Sequence, residues 1–186
     1  MRRAGRRRHD HAMTDYEALL IGGRSGVGKS TVGWEVSGLL EEAGVPHCVV
    51  DGDYLGHVSP APPDDPHRAA LTERNLAAVW ANFAALGHRR LIYTNTASVL
   101  EDGLFRRALG GGSLRLVRVL LTASDETAAA RLARRESGGG LTAHIRRGHA
   151  AARRLDAEAP ADTVRVATDG RRVREIAREV VKVVGW

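Results

Sequence analysis

Two rhythms of apolar residues run along the chain. Short unbroken apolar runs at 18–21, 47–51, 89–94, 115–121 and 163–167 are rich in Val, Leu and Ile, which predicts strands buried on both faces. Between them apolar residues recur every three or four positions, predicting helices over 29–43, 67–86, 98–109, 126–136 and 142–157. A last helix begins after Asp169-Gly170 and ends near Val184. Gly44 and Gly87 supply C-terminal stops, and Asp125 is placed to cap the helix that follows it. The stretch 56–66 holds four of the six prolines together with Asp64 and Asp65, and predicts a loop.

Strands that alternate with helices of this length call for βαβ crossovers. The expected fold is therefore α/β: three layers, doubly wound, a parallel sheet of about five strands with helices on both faces. In such a sheet ligands bind beyond the carboxyl ends of the strands, beside the point where the strand order reverses. No internal repeat is present.

With 186 residues, 43% of them hydrophobic, the chain suits one core rather than two. The expected division is a basic, disordered tail over 1–13 and a single domain over 14–186 with a short lid around 134–142. The net charge of +6 is concentrated in that tail, since residues 1–12 carry five arginines and one aspartate. Such a patch can bind polyanions, but it has no apolar periodicity, and Met13 is a second candidate start. Aromatics make up only 4% of the chain, too few for a single-strand stacking platform, which argues against nucleic acid as partner. No run reaches the roughly 20 apolar residues of a bilayer span. A lone Cys48 excludes an internal disulfide framework. These features predict a soluble cytoplasmic domain, as monomer or homodimer.

The sharpest signal follows the first strand. Gly23-Arg24-Ser25-Gly26-Val27-Gly28-Lys29-Ser30 fits G-x-x-x-x-G-K-[ST], with Thr31 next, between a buried strand and a helix. Glycines let the backbone curl so that several N–H groups point inward at a polyphosphate, and the helix N-terminus adds positive potential. Lys29 reaches β- and γ-phosphates, and the Ser30 hydroxyl is suited to Mg²⁺. Asp51 and Asp53 stand at i and i+2 at the end of the second strand, so both side chains emerge on one side. One carboxylate near an acceptor hydroxyl can orient it and take its proton; another can bind metal-bound water. A capping pair in a turn is the plainer alternative.

On GRSGVGKST, the Asp51-Gly52-Asp53 sequence and Asn75 in the next helix, the chain resembles P-loop kinases of the small-molecule and nucleotide group, adenylylsulfate kinases most of all. The resemblance implies Mg·ATP as phosphoryl donor and a small hydroxylated acceptor. It also implies Asp53 and Asn75 at the acceptor and Asp51 near the metal. The adenylylsulfate kinase pattern is incomplete, however. Its arginines fall here on Gly56, Thr72, Ala77 and Ala78, leaving Arg74 as the one nearby cation. An anionic sulfate–phosphate anhydride would want those cations.

The third strand ends Tyr93-Thr94-Asn95-Thr96 without the acidic residue many P-loop proteins carry there. Its polar groups, Asn95 among them, either bind an acceptor or satisfy the loop backbone. Glu101 and Asp102 cap or face solvent. Arg131, Arg134 and Arg135 share a helix face and lead into the glycine-rich 136–140. Similar kinases carry lid arginines here; Arg131 would pack near the adenine or its phosphates, while Arg134 or Arg135 reaches the transferred group. Asp169 either edges the base or caps the last helix. The leading function is thus an ATP-dependent kinase of a small metabolite, nucleotide or natural product. The alternative is an NTP-hydrolysing switch or nucleic-acid-linked NTPase.

Overall fold

The computed structural model describes residues 16–110, 113–135 and 140–186. The predicted tail and residues 136–139 of the predicted lid fall outside them. Five strands, β1 (Tyr16–Gly22), β2 (Cys48–Asp51), β3 (Arg90–Thr94), β4 (Leu114–Thr122) and β5 (Val164–Ala167), form one parallel sheet in the order β2-β3-β1-β4-β5. Six helices accompany them: α1 (Lys29–Glu42), α2 (Ala69–Ala85), α3 (Asp102–Leu109), α4 (Asp125–Arg135), α5 (Leu141–Glu158) and α6 (Val173–Val184). This is the doubly wound three-layer architecture the apolar rhythm predicts.

Both faces of β1 are covered, which is why its sequence shows no polar alternation. Leu19 and Ile21 point into a core shared with Val32, Val36 and Leu40 of α1 and Ile176, Ala177, Val180 and Val184 of α6. Ala18 and Leu20 point the other way, toward Leu76 and Trp80 of α2 and Phe105 and Leu109 of α3. All four strand residues are fully buried. The chain crosses to β4 only after β2 and β3 are laid on the other side of β1, so the order reverses beside the loop that follows β1.

Three departures from the expected elements have local causes. The helix foreseen over 98–109 is a single 3-10 turn, Ser98–Leu100, followed by α3. There the Ser98 hydroxyl donates to the Asn95 carbonyl at 3.2 Å, a short-range bond that competes with regular helix. Asp125 does not cap α4: Ser124 does, its hydroxyl accepting from Thr127 N at 3.2 Å. Asp169 does not cap α6 either; Arg172 precedes that helix, and the Glu175 carboxylate reaches back to the Arg172 amide at 3.4 Å.

The three tryptophans occupy different settings. Trp80 is buried against Tyr16, edge to face with ring centroids 5.0 Å apart. Trp186 is half-buried, its indole N–H donating to Glu17 at 3.1 Å. Trp34 is exposed on α1. Trp80→Ala is expected to cost about 3–5 kcal/mol of unfolding free energy, the usual loss for a buried aromatic. Urea titration followed by circular dichroism checks it, and a loss under about 1 kcal/mol would mean that this core is not packed as described.

Candidate active site

The phosphate-loop sequence turns sharply as β1 ends. Gly23, Gly26 and Gly28 have φ of +139°, +88° and +97°. A Cβ on Gly26 would lie 2.5 Å from the Ala128 carbonyl oxygen, so at this point loop and α4 touch backbone to backbone. No side chain caps the N-terminus of α1, whose first amides remain directed at whatever sits in the loop. Lys29 is buried, and its ammonium donates to the Arg24 carbonyl at 3.5 Å. Burial pulls its pKa below the usual lysine value, while Asp53 and Asp51 act to restore it.

Asp51 ends β2 and leads into a 3-10 turn, Gly52–Tyr54. One of its carboxylate oxygens accepts from the Asp53 amide at 3.1 Å, the other from the Ser30 hydroxyl at 2.7 Å. The motif serine and the acidic pair are thereby joined. Asp53 faces the cleft and accepts from the Asn95 amide nitrogen at 2.8 Å, while the Asn95 oxygen accepts from Ala97 N at 3.1 Å. Asn95 thus satisfies its loop backbone, one of the two roles the sequence left open, and in addition holds Asp53. Desolvation raises the pKa of the Asp53 carboxyl from its ordinary value, Asp51 adds to this, and Lys29 and Arg135 oppose it.

The loop is stitched to α4 along three contacts. Arg24, only 4% exposed, pairs through its guanidinium with Asp125. Gly26 rests on Ala128 as described. Arg131 donates to the Val27 carbonyl at 3.3 Å, the Thr168 hydroxyl at 2.9 Å and the Thr168 carbonyl at 3.0 Å. The last turn of α4 then delivers Arg135 to the cleft, close enough to act on both Lys29 and Asp53. Arg134 is exposed and does not line it. The segment 136–139 of the predicted lid lies outside the described residues. Asn75 donates to the Leu55 carbonyl at 2.7 Å, bracing the chain beyond the 3-10 turn.

Two hollows meet at the loop. The larger, about 490 Å³, is bounded by Ser25, Lys29, Ser30, Asp51, Asp53 and Arg135, with Thr31 at its edge. Tyr54, His57 and His144 also border it. The smaller, about 160 Å³, lies between the start of α1 and the β5–α6 turn and has Val27, Val32, Val173 and Ile176 beside Arg131, Thr168 and Arg171. Asp169 stands outside it and ties this turn to α4, accepting from the Ser124 amide at 3.0 Å and its hydroxyl at 2.7 Å. Sequence reasoning marked Thr168 and Arg171 only as part of the turn that could edge the base, and did not single out Tyr54 or Val173. They come from loops or flanks without motif spacing; only their neighbourhood to strand ends could have marked them.

No family model matches the chain, and no curated protein does. Among solved structures it is similar to a gluconokinase from Sinorhizobium meliloti 1021, 22% identical, TM-score 0.57, covering 92% of this chain and 93% of that one. It is similar over 92% and 99% of the two chains to the Mycobacterium tuberculosis APS kinase in complex with AMPPNP and APS, at 21% identity and TM-score 0.56. A tunicamycin resistance protein from Deinococcus radiodurans aligns at 19% identity and TM-score 0.57, over 91% and 96%. The chain thus has the fold of P-loop kinases, the group its loop motif resembles.

Hydrogen bonds from Thr127 and Ser124 hold the Asp169 carboxyl at about 2, below its unfolded value near 3.9. A depressed carboxylate contributes stability that is complete above the unfolded pKa and lost as pH falls through the folded one. Asp169→Ala should therefore lower the melting temperature at pH 6, and the gap to wild type should close between about pH 4 and pH 2. A gap constant over that range would show that Asp169 does not act through its charge.

Proposed function

We propose that the protein is an ATP-dependent phosphotransferase that moves the γ-phosphoryl group to a hydroxyl of a small acceptor. The observation that carries this is the joining of the phosphate loop to an acidic pair: Ser30 bonded to Asp51, and Asp53 held by Asn95 beside Lys29 and Arg135. A loop that only grips nucleotide has no need of a second, separately oriented carboxylate.

In this reading the adenine lies in the smaller hollow against Val27, Val173 and Ile176, with the loop amides and Lys29 on the phosphates. Ser30 and Asp51 offer hard oxygen ligands, directly or through water, which fits Mg²⁺. Among the described residues no group of three or more His, Cys, Asp or Glu is placed to hold a metal, so the phosphates would complete its coordination. The ion, when bound, neutralises charge on the phosphate oxygens. Asp53 orients the acceptor O–H and receives its proton as the acceptor oxygen bonds to phosphorus. The bond from phosphorus to the bridging oxygen breaks, and ADP leaves. Arg135 and Lys29 stabilise charge on the transferred group. Asp53's raised pKa suits this work, because a base nearer the working pH accepts a proton more readily. The hydrolysing-switch alternative draws on the basic tail, outside the described residues, and no feature of the cleft favours it.

Lys29→Ala should lower the transfer rate by about 2–4 kcal/mol of transition-state stabilisation, read as ADP release with Mg·ATP and an active acceptor. Wild-type turnover in that variant would remove the assignment. Asp53→Asn should abolish most transfer while ATP affinity, measured by calorimetry, stays within about twofold. Equal loss of both would instead assign Asp53 to nucleotide or metal binding.

A further inference from the structure

A third hollow, of about 510 Å³, lies between the start of α2 (Ala69, Ala70, Glu73) and the start of α3 (Glu101, Gly103, Leu104, Arg107). Glu101 borders it at the residue preceding α3, but its side chain makes no capping bond there. Its carboxyl is half-buried and, among the described residues, forms no ion pair. Burial raises its pKa, with Arg154 opposing from a distance, and Arg154 is itself bonded to Glu158 at 2.9 Å. A second group is also without a partner. Tyr93 is fully buried, and its hydroxyl, which makes no hydrogen bond, lies under Gly52, where a Cβ would fall 2.1 Å from it. The turn after β3 joins Asp53 to Glu101: Asn95, which donates to Asp53 at 2.8 Å, accepts from the Ser98 amide at 3.5 Å, and the Ser98 carbonyl accepts from the Glu101 amide at 3.3 Å.

Two cations at this end are engaged. Arg107 donates to both oxygens of Glu73, at 2.8 to 3.1 Å, and Arg68 donates to the Val58 carbonyl at 3.1 Å. Lys29 and Arg135 belong to the phosphate side. His57 borders the larger cleft as its one exposed histidine. A half-buried carboxylate without a counter-charge is costly to the protein alone, and a ligand cation would relieve that cost.

We propose that the phosphoryl acceptor is a hydroxylated amine, its hydroxyl set against Asp53 and its ammonium group held by Glu101 in the hollow between α2 and α3. This rests on the kinase reading above. A sugar acid or a sulfated or phosphorylated acceptor would meet Asp53 and Glu101 as like charges.

The test is a transfer assay with Mg·ATP, read by mass spectrometry and phosphorus NMR, on compounds matched in hydroxyls but not in charge. Amino sugars and aminocyclitols are compared with their neutral parents and with sugar acids and sugar phosphates. The expected result is kcat/KM at least about tenfold higher for amine-bearing members than for neutral parents, the scale of one charge-assisted hydrogen bond. Glu101→Gln should raise KM for the amines about tenfold, leave kcat and the neutral compounds unchanged, and melt as wild type does. A preference for anionic acceptors overturns the inference while leaving the kinase reading intact. An amine preference that survives Glu101→Gln overturns the role of Glu101. ATP binding with no transfer to any member overturns the kinase reading, and this inference with it.

Discussion

Everything at the carboxyl edge of the sheet is positioned from the seam between the phosphate loop and α4. Arg24 carries a charge into an interior that would not tolerate it alone, and the Asp125 carboxylate, itself exposed, supplies the counter-charge. The same seam needs a glycine at 26, because any side chain would enter the Ala128 carbonyl. Arg131 closes the far end by gathering carbonyls of the loop and of Thr168. With these contacts made, the distance from Lys29 to the last turn of α4 is set by the scaffold rather than by the ligand.

The cleft that results has two walls of opposite character. On one, loop amides, Lys29 and Arg135 present positive potential; burial lowers the Lys29 pKa, and Asp53 and Asp51 oppose that shift. On the other, Asp51 and Asp53 are held apart by separate partners, Ser30 and Asn95, so that neighbouring carboxylates keep distinct orientations. Desolvation, and after it the neighbouring Asp51, raise the Asp53 pKa, while Lys29 and Arg135 restrain the shift. Opposed walls of this kind suit a reaction in which charge moves from one side to the other.

The sequence was legible where the physics is local. Strand β1, the turn at Gly23 and Gly26, and the helix after it are encoded within the one continuous stretch 16–42, and burial on both faces leaves an unmistakable apolar run. It was less legible where partners are distant. Arg24 meets Asp125 across 101 positions, and in a chain with so many arginines nothing distinguishes the one that is buried. Asp169 reads as a cap because caps are local, yet its partner Ser124 is 45 positions away. Glu101 likewise reads as a cap or surface residue; only the meeting of α2 with α3 makes it the wall of a hollow. Chain pattern thus sufficed for the phosphate loop and the acidic pair, and not for the hollow between α2 and α3, whose lining comes from segments without spacing rules.

The placement of the tryptophans has a spectroscopic consequence. Trp80 lies in the core under α2, Trp186 against the far edge of β1, and Trp34 in solvent, and none of the three borders either hollow at the phosphate loop. Intrinsic emission therefore has no indole in contact with a ligand there. A change in its wavelength on nucleotide addition would report movement of α2, α1 or the C-terminus relative to the sheet, so the unmodified protein carries a probe of scaffold rearrangement separate from occupancy.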